Sequence, residues 1–321
     1  MTARRGSGAA ARSRVRPARL TAGSRVAVVA PAGPVPAPLL DAGVSLLRDW
    51  GLRVTVGAHV LDRDPALDYL AGTDADRAAE FQRVWCSPTV DAVFCARGGY
   101  GSLRVLDTLD WPAMAEAIRR NGPKLFTGSS DLTALHQAIG DRMGLATVFG
   151  PMVATKTFVC DHVAREHLRR TLFEPESVCR LSGAEAGTLV PGRARGVLVG
   201  GNASMLAACL GDPALTPPDG ALALLEDITE DPYRLDRILV QLRRAGWFDG
   251  VRGIALGSWT QCGDTVAVRA VLTDTVGSLG LPTVWELGFG HCARALTVPL
   301  GVTAELDADA GTLTLDEPAL R

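Results

Sequence analysis

Between residues 25 and 139, short apolar runs alternate with amphipathic segments four times over, and that alternation admits few folds. Val26 to Ala30 is apolar at every position and is closed by Pro-Ala-Gly-Pro, the pattern of a strand buried on both faces of a parallel sheet. Leu39, Leu40, Val44, Leu47 and Trp50 then fall on one helical face, and Gly51 ends the helix. Strands follow at Leu52 to Val56, Asp91 to Ala96 and Lys124 to Thr127. Helices follow at Asp74 to Trp85, Ser102 to Leu109 and Leu132 to Ile139. The pattern predicts a doubly wound α/β domain over residues 23–174.

The texture changes at residues 175–195, where turn formers such as Glu-Pro-Glu-Ser and Pro-Gly-Arg read as a linker. Beyond it, residues 196–321 predict a second domain with strands at Gly196 to Val199, Ala221 to Leu225, Gly253 to Leu256 and Thr283 to Glu286. Asp231-Pro232 opens a helix with Leu235, Ile238, Leu239 and Leu242 inward, and the period-two run Ala304 to Leu315 around a glycine turn is a hairpin. The second domain is therefore expected to be mixed α/β with antiparallel strands.

Charge narrows the partners. The chain has 33 basic and 35 acidic residues for a net charge of -2, which recommends neither nucleic acid nor an anionic membrane. The longest apolar stretch, Val26 to Leu40, is broken by five Pro or Gly residues, so no bilayer-spanning helix is expected. Seven scattered cysteines without a C-x-x-C pair fit a reducing, cytoplasmic setting better than a disulfide framework or a zinc site. Residues 1–22 carry six arginines and no acid, with no apolar run after Arg4-Arg5, and read as a disordered basic tail.

Four places can carry chemistry. Strand Lys124 to Thr127 runs into Gly128-Ser129-Ser130-Asp131 and then a helix, which sets Ser130 on a sharp strand-to-helix turn. Leu132 replaces the second glycine of a G-x-S-x-G elbow, so Ser130 reads either as a nucleophile or as a helix cap. Arg97-Gly98-Gly99-Tyr100-Gly101 follows a strand at the carboxyl end of the sheet, where its amides can approach a ligand or form an oxyanion hole. Its spacing matches neither phosphate-loop nor dinucleotide fingerprints, so no such cofactor is expected. Glu226-Asp227 ends an apolar strand, placing a carboxylate where it can orient a histidine or simply be solvated. His291, in Gly288-Phe-Gly-His-Cys292, suits a base that must be aimed. His162 and His167 are five apart, off the face a helical metal pair needs, and no metal is expected.

These residues sit in stretches that resemble the LD-carboxypeptidase family, the muramoyl-tetrapeptide carboxypeptidases, with its relatives that hydrolyse peptidyl-nucleotide antibiotics of the microcin C type. The stretches are Val26-Ala-Val-Val-Ala-Pro-Ala-Gly-Pro34, Tyr69-Leu-Ala-Gly-Thr-Asp74, Cys95-Ala-Arg-Gly-Gly-Tyr-Gly101, Gly128-Ser-Ser-Asp131, Gly200-Gly-Asn202, Leu225-Glu-Asp227 with Tyr233-Arg-Leu-Asp-Arg237, and Gly290-His291 with Thr297-Val-Pro-Leu-Gly301. The resemblance implies an N-terminal domain like class I glutamine amidotransferases, a C-terminal swivelling β/β/α domain, a site in the cleft between them and a homodimer. It implies a serine peptidase with Ser130 as nucleophile, His291 as general base and acid, and Glu226 orienting the imidazole. Backbone amides of Gly98, Gly99 and Asp131 would form the oxyanion hole, with no metal or cofactor. The implied substrate is a muramoyl-tetrapeptide that loses its terminal D-Ala in peptidoglycan recycling. The alternative is an antibiotic conjugate or secondary-metabolite amide cut by the same triad. Ser129, Phe149 and Cys292-Ala293-Arg294 depart from the family's usual residues beside the site.

Overall fold

A computed structural model describes residues 13–212, 217 and 219–321. The first sheet has the order Arg53–Val56, Arg25–Val29, Ala92–Cys95, Leu125–Gly128, Thr147–Phe149 and Val298–Leu300. Its first five strands pair in parallel, as runs buried on both faces must. Helices cover each face: Leu40, Val44 and Leu47 pack on one side with Phe158 and Leu168, while Phe81, Trp85, Leu135 and Ile139 pack on the other. The chain order reverses between Arg25–Val29 and Ala92–Cys95, and at such a switch point the loops after adjacent strands diverge to leave a crevice. Gly33 and Gly98 sit at that point, with the Gly33 amide donating to the Gly98 carbonyl at 3.0 Å.

The second sheet has eight strands. Four parallel strands form its centre, Arg193–Asn202, Ala221–Ile228, Val251–Thr260 and Thr283–Trp285, with antiparallel strands at both flanks. The hairpin Thr303–Asp307 with Thr312–Leu315 pairs as the alternation predicted. Helix Pro232–Arg244 buries Leu235, Leu239 and Leu242, leaving Ile238 partly covered. The mixed α/β, two-sheet architecture matches the fold expected from the sequence.

Three expected boundaries shift. Residues 1–12 of the basic tail lie outside the described residues, but Ser13 onward is docked rather than disordered. Arg14 pairs with Asp141, Val15 bridges Leu145, and Leu20 is buried, because partners distant in sequence supply the counter-charge and apolar cover that composition does not reveal. The expected linker carries strands Arg180–Leu181 and Gly187–Val190, which close the two edges of the second sheet. Finally, Val298–Leu300 leaves the second domain and pairs antiparallel with Thr147–Phe149 in the first sheet, and Ala319 and Leu320 also pack in the first domain's core. The chain that follows His291 thus ties the second half back to the first at two places.

Candidate active site

Strand Leu125–Gly128 is fully buried and delivers the chain to the carboxyl edge of the first sheet. There Ser129 is extended, Ser130 takes a left-handed φ of 61°, and a single 3-10 turn, Ser130–Leu132, leads into helix Thr133–Met143. A left-handed non-glycine residue costs on the order of 1–3 kcal/mol and persists only where its surroundings enforce it. Those surroundings are visible. His136 is buried beneath the turn and bridges Thr147 Oγ1 at 2.8 Å and the Gly128 carbonyl at 2.9 Å. Burial pushes its pKa down to about 4, so the ring stays neutral. Asp131 is buried too, and its carboxylate accepts from the Ser102 amide at 2.8 Å while its carbonyl accepts from the Ser102 hydroxyl at 2.5 Å. Burial raises the Asp131 pKa. These bonds clamp the serine turn to the start of the helix that follows the Arg97–Gly101 loop.

That loop comes very close. A Cβ on Gly98 would stand 3.0 Å from Ser130 Cβ and 3.4 Å from the Asp131 amide nitrogen, so only a glycine fits without displacing the serine. Buried Arg77 braces the loop from behind, donating to the Gly101 carbonyl at 2.9 Å and to the Gly72 carbonyl at 3.3 Å while pairing with Asp74.

The second sheet brings the acid and the imidazole. Glu226 lies near the end of strand Ala221–Ile228 with 0% exposure, and its Oε2 accepts from His291 Nδ1 at 2.7 Å and from the His291 amide at 3.3 Å. Gly290 makes room for this, with φ 99° and a position where a Cβ would lie 2.5 Å from Glu226 Oε2. Burial works against a charged ring at His291, yet the charge and hydrogen bond of Glu226 and the charge of Asp227 outweigh it, and the pKa is raised. Ser130, Gly98, Gly99 and His291 all line one cavity of about 280 Å³ between the two sheets.

Profiles of the LD-carboxypeptidase N-terminal and C-terminal domains match residues 26–150 and 195–306. The chain belongs to the LD-carboxypeptidase family. It is a peptidase of the carboxypeptidase type, as its relatives' names also record. A Streptomyces coelicolor protein named as a carboxypeptidase is 58% identical over 310 residues, which cover 96% of this chain and 98% of that one. A murein tetrapeptide carboxypeptidase of Pseudomonas aeruginosa is 32% identical over 296 residues, covering 89% and 94%. In fold, the chain is similar to a microcin C7 self-immunity protein, with a TM-score of 0.82 and 22% identity over 96% of this chain and 100% of that one.

The structure brings together the LD-carboxypeptidase residues expected from the sequence: Ser130, the Gly98-Gly99 turn, Glu226 and His291. Of the acidic pair, Glu226 is the one that faces the imidazole. Asp227 instead accepts from the Ser204 amide and Asn202 Nδ2, both at 2.8 Å, and burial with the neighbouring Glu226 charge pushes it up to about 6. Asn202, which closes the Gly200-Gly-Asn202 stretch, adds a residue to which the sequence assigns no role. It pairs in register with Glu226, donates to Glu226 Oε1 at 3.2 Å, and caps helix Ala203–Ala208 by accepting from the Met205 amide. The signal for it was local, an asparagine at the junction of an apolar strand and a helix. The backbone below is equally constrained, since the Asn202 amide donates to Thr133 Oγ1 at 3.0 Å, joining the acid's sheet to the serine's helix.

Proposed function

We propose that this LD-carboxypeptidase hydrolyses the amide that holds the terminal D-Ala of muramoyl-tetrapeptides, through a Ser130-His291-Glu226 triad and an acyl-enzyme. The observation that carries the reading is a left-handed serine and a carboxylate-paired histidine on the walls of one cavity. His291 accepts the Ser130 proton, the serine oxygen attacks the carbonyl, and the amides of Gly98, Gly99 and Asp131 donate to the developing oxyanion. The protonated imidazole then passes its proton to the leaving amine, and water resolves the acyl-enzyme by the same base. Likeness at 32% identity to a murein tetrapeptide carboxypeptidase supports the choice of substrate.

The test is mass-spectrometric detection of D-Ala released from a muramoyl-tetrapeptide, with Ser130→Ala as control. Release by wild type alone supports the reading. No release from a protein whose Ser130 still reacts with a fluorophosphonate would overturn the substrate and redirect the search to other amides, antibiotic conjugates among them.

The His291–Glu226 pair also fixes a pH dependence. The base works as the neutral ring, and its raised pKa places the acid limb of kcat/KM above the ordinary histidine value of about 6.5. Glu226→Gln removes the carboxylate charge, the strongest raising influence, and leaves burial opposed by the weaker Asp227 charge, so the limb should move to lower pH while the plateau falls by about 10³-fold. A pH–rate profile of the variant checks both, and an unmoved limb would mean that His291 is not the titrating base.

A further inference from the structure

A carboxypeptidase must read the end of its substrate as well as the bond it cuts. In a terminal residue the carboxylate carbon is three bonds from the scissile carbonyl carbon, which limits their separation to about 4 Å. The group that reads the carboxylate must therefore share the cavity of Ser130.

Two side chains lining that cavity carry positive charge when protonated, Arg97 and His291, and no acidic side chain lines it. His291 is engaged by Glu226 and has to be neutral to act as a base. Arg97 is exposed and is anchored at one point, where its Nη1 donates to the Pro34 carbonyl at 2.7 Å. No carboxylate of the described residues pairs with it, and its Nε and Nη2 make no hydrogen bond to the described residues. Its remaining donors form the planar fork that matches a carboxylate in two parallel hydrogen bonds. The rest of the wall, Phe149, Met152, Ile228 and Leu296 among it, offers apolar surface to the substrate and little competition for the charge. Arg97 also immediately precedes Gly98, the residue packed against Ser130 Cβ.

We propose that Arg97 binds the free carboxylate of the substrate's terminal residue and so makes the enzyme selective for C-terminal amide bonds. The proposal rests on the carboxypeptidase reading of the same cavity. One loop then serves both sides of the scissile bond, with its glycine amides toward the carbonyl and its arginine on the carboxylate of the leaving residue three bonds away.

The experiment compares two substrates on three proteins. A muramoyl-tetrapeptide with free terminal D-Ala and the same peptide ending in D-alaninamide are assayed with wild type, Arg97→Gln and Arg97→Lys. For the free acid, Arg97→Gln should lose between about 10-fold and about 100-fold in kcat/KM, mainly through KM, as expected when a charge-assisted hydrogen bond is removed. For the amide the loss should be under about 3-fold. Arg97→Lys should recover part of the loss on the acid alone, because it restores charge without the fork. Fluorophosphonate labelling of Ser130 at the wild-type rate verifies that the variants keep the site. Equal losses on both substrates would overturn the proposal and leave Arg97 as a brace for the Pro34 loop. Wild type inactive on both substrates would instead overturn the substrate reading, and the carboxylate assignment with it.

Discussion

Ser130→Ala is expected to lower kcat/KM for D-Ala release by about 10⁴-fold or more while leaving the folded state intact. The hydroxyl is the group that would form the acyl-enzyme, and Asp131 next to it is buried with its carboxylate held by Ser102. Alanine keeps the Cβ and the same backbone cost at φ 61°, so stability should change by less than about 0.5 kcal/mol. Ser130→Gly makes a sharper companion. It removes the same hydroxyl but also relieves the left-handed strain, so it should be equally inactive yet more stable than Ser130→Ala by about 1 kcal/mol. Denaturant unfolding of the two variants measures the difference. Substantial turnover by Ser130→Ala would sink the mechanism, and a glycine variant no more stable than the alanine one would show that the serine turn is not strained.

The serine turn was legible because everything that makes it is local: an apolar strand, a Gly-Ser-Ser-Asp junction and a helix, all within the consecutive run from Leu125 to Met143. His291 stood out for a similar reason, a lone imidazole among glycines whose positive φ values, 93° at Gly288 and 99° at Gly290, only glycine adopts freely. What stayed hidden depends on lateral neighbours. The choice between Glu226 and Asp227 turns on the pairing of Asn202 with Glu226 across two strands, which no periodicity encodes. Val298–Leu300 is three residues long and joins a sheet whose other strands lie far upstream, too short a run to carry a pattern. Arg14 belongs to a segment whose composition suggests solvation, yet Asp141 and the Gly301 carbonyl hold it in place. In each case the deciding contact spans more than twenty residues, and the physical reason is the same: the sequence displays periodicity along the chain, whereas these contacts run across it.

Gly290→Ala is expected to damage stability and activity together, by about 3 kcal/mol and about 100-fold. Two separate costs combine. The backbone at φ 99° disfavours any Cβ, and the added atom would fall 2.5 Å from Glu226 Oε2, 2.8 Å from its Cγ and 2.9 Å from its Cβ. Glu226 cannot swing aside, being fully buried on a strand flanked by Arg193–Asn202 and Val251–Thr260, with Asn202 bonded to its other oxygen. The His291 loop must therefore retreat, lengthening the 2.7 Å bond that aims the imidazole and leaving a buried carboxylate oxygen short of a donor. Gly122→Ala separates the two costs within the same protein. Gly122 has a similar φ of 86° but nothing within 4 Å of the added atom, so that variant should lose only the backbone cost, on the order of 1–2 kcal/mol, and keep full activity. Unfolding curves and kcat/KM for both variants give the comparison. If Gly290→Ala proves no worse than Gly122→Ala in either measurement, the Glu226–His291 pair can yield without consequence, and the rigid aiming of the imidazole by that carboxylate has to be abandoned.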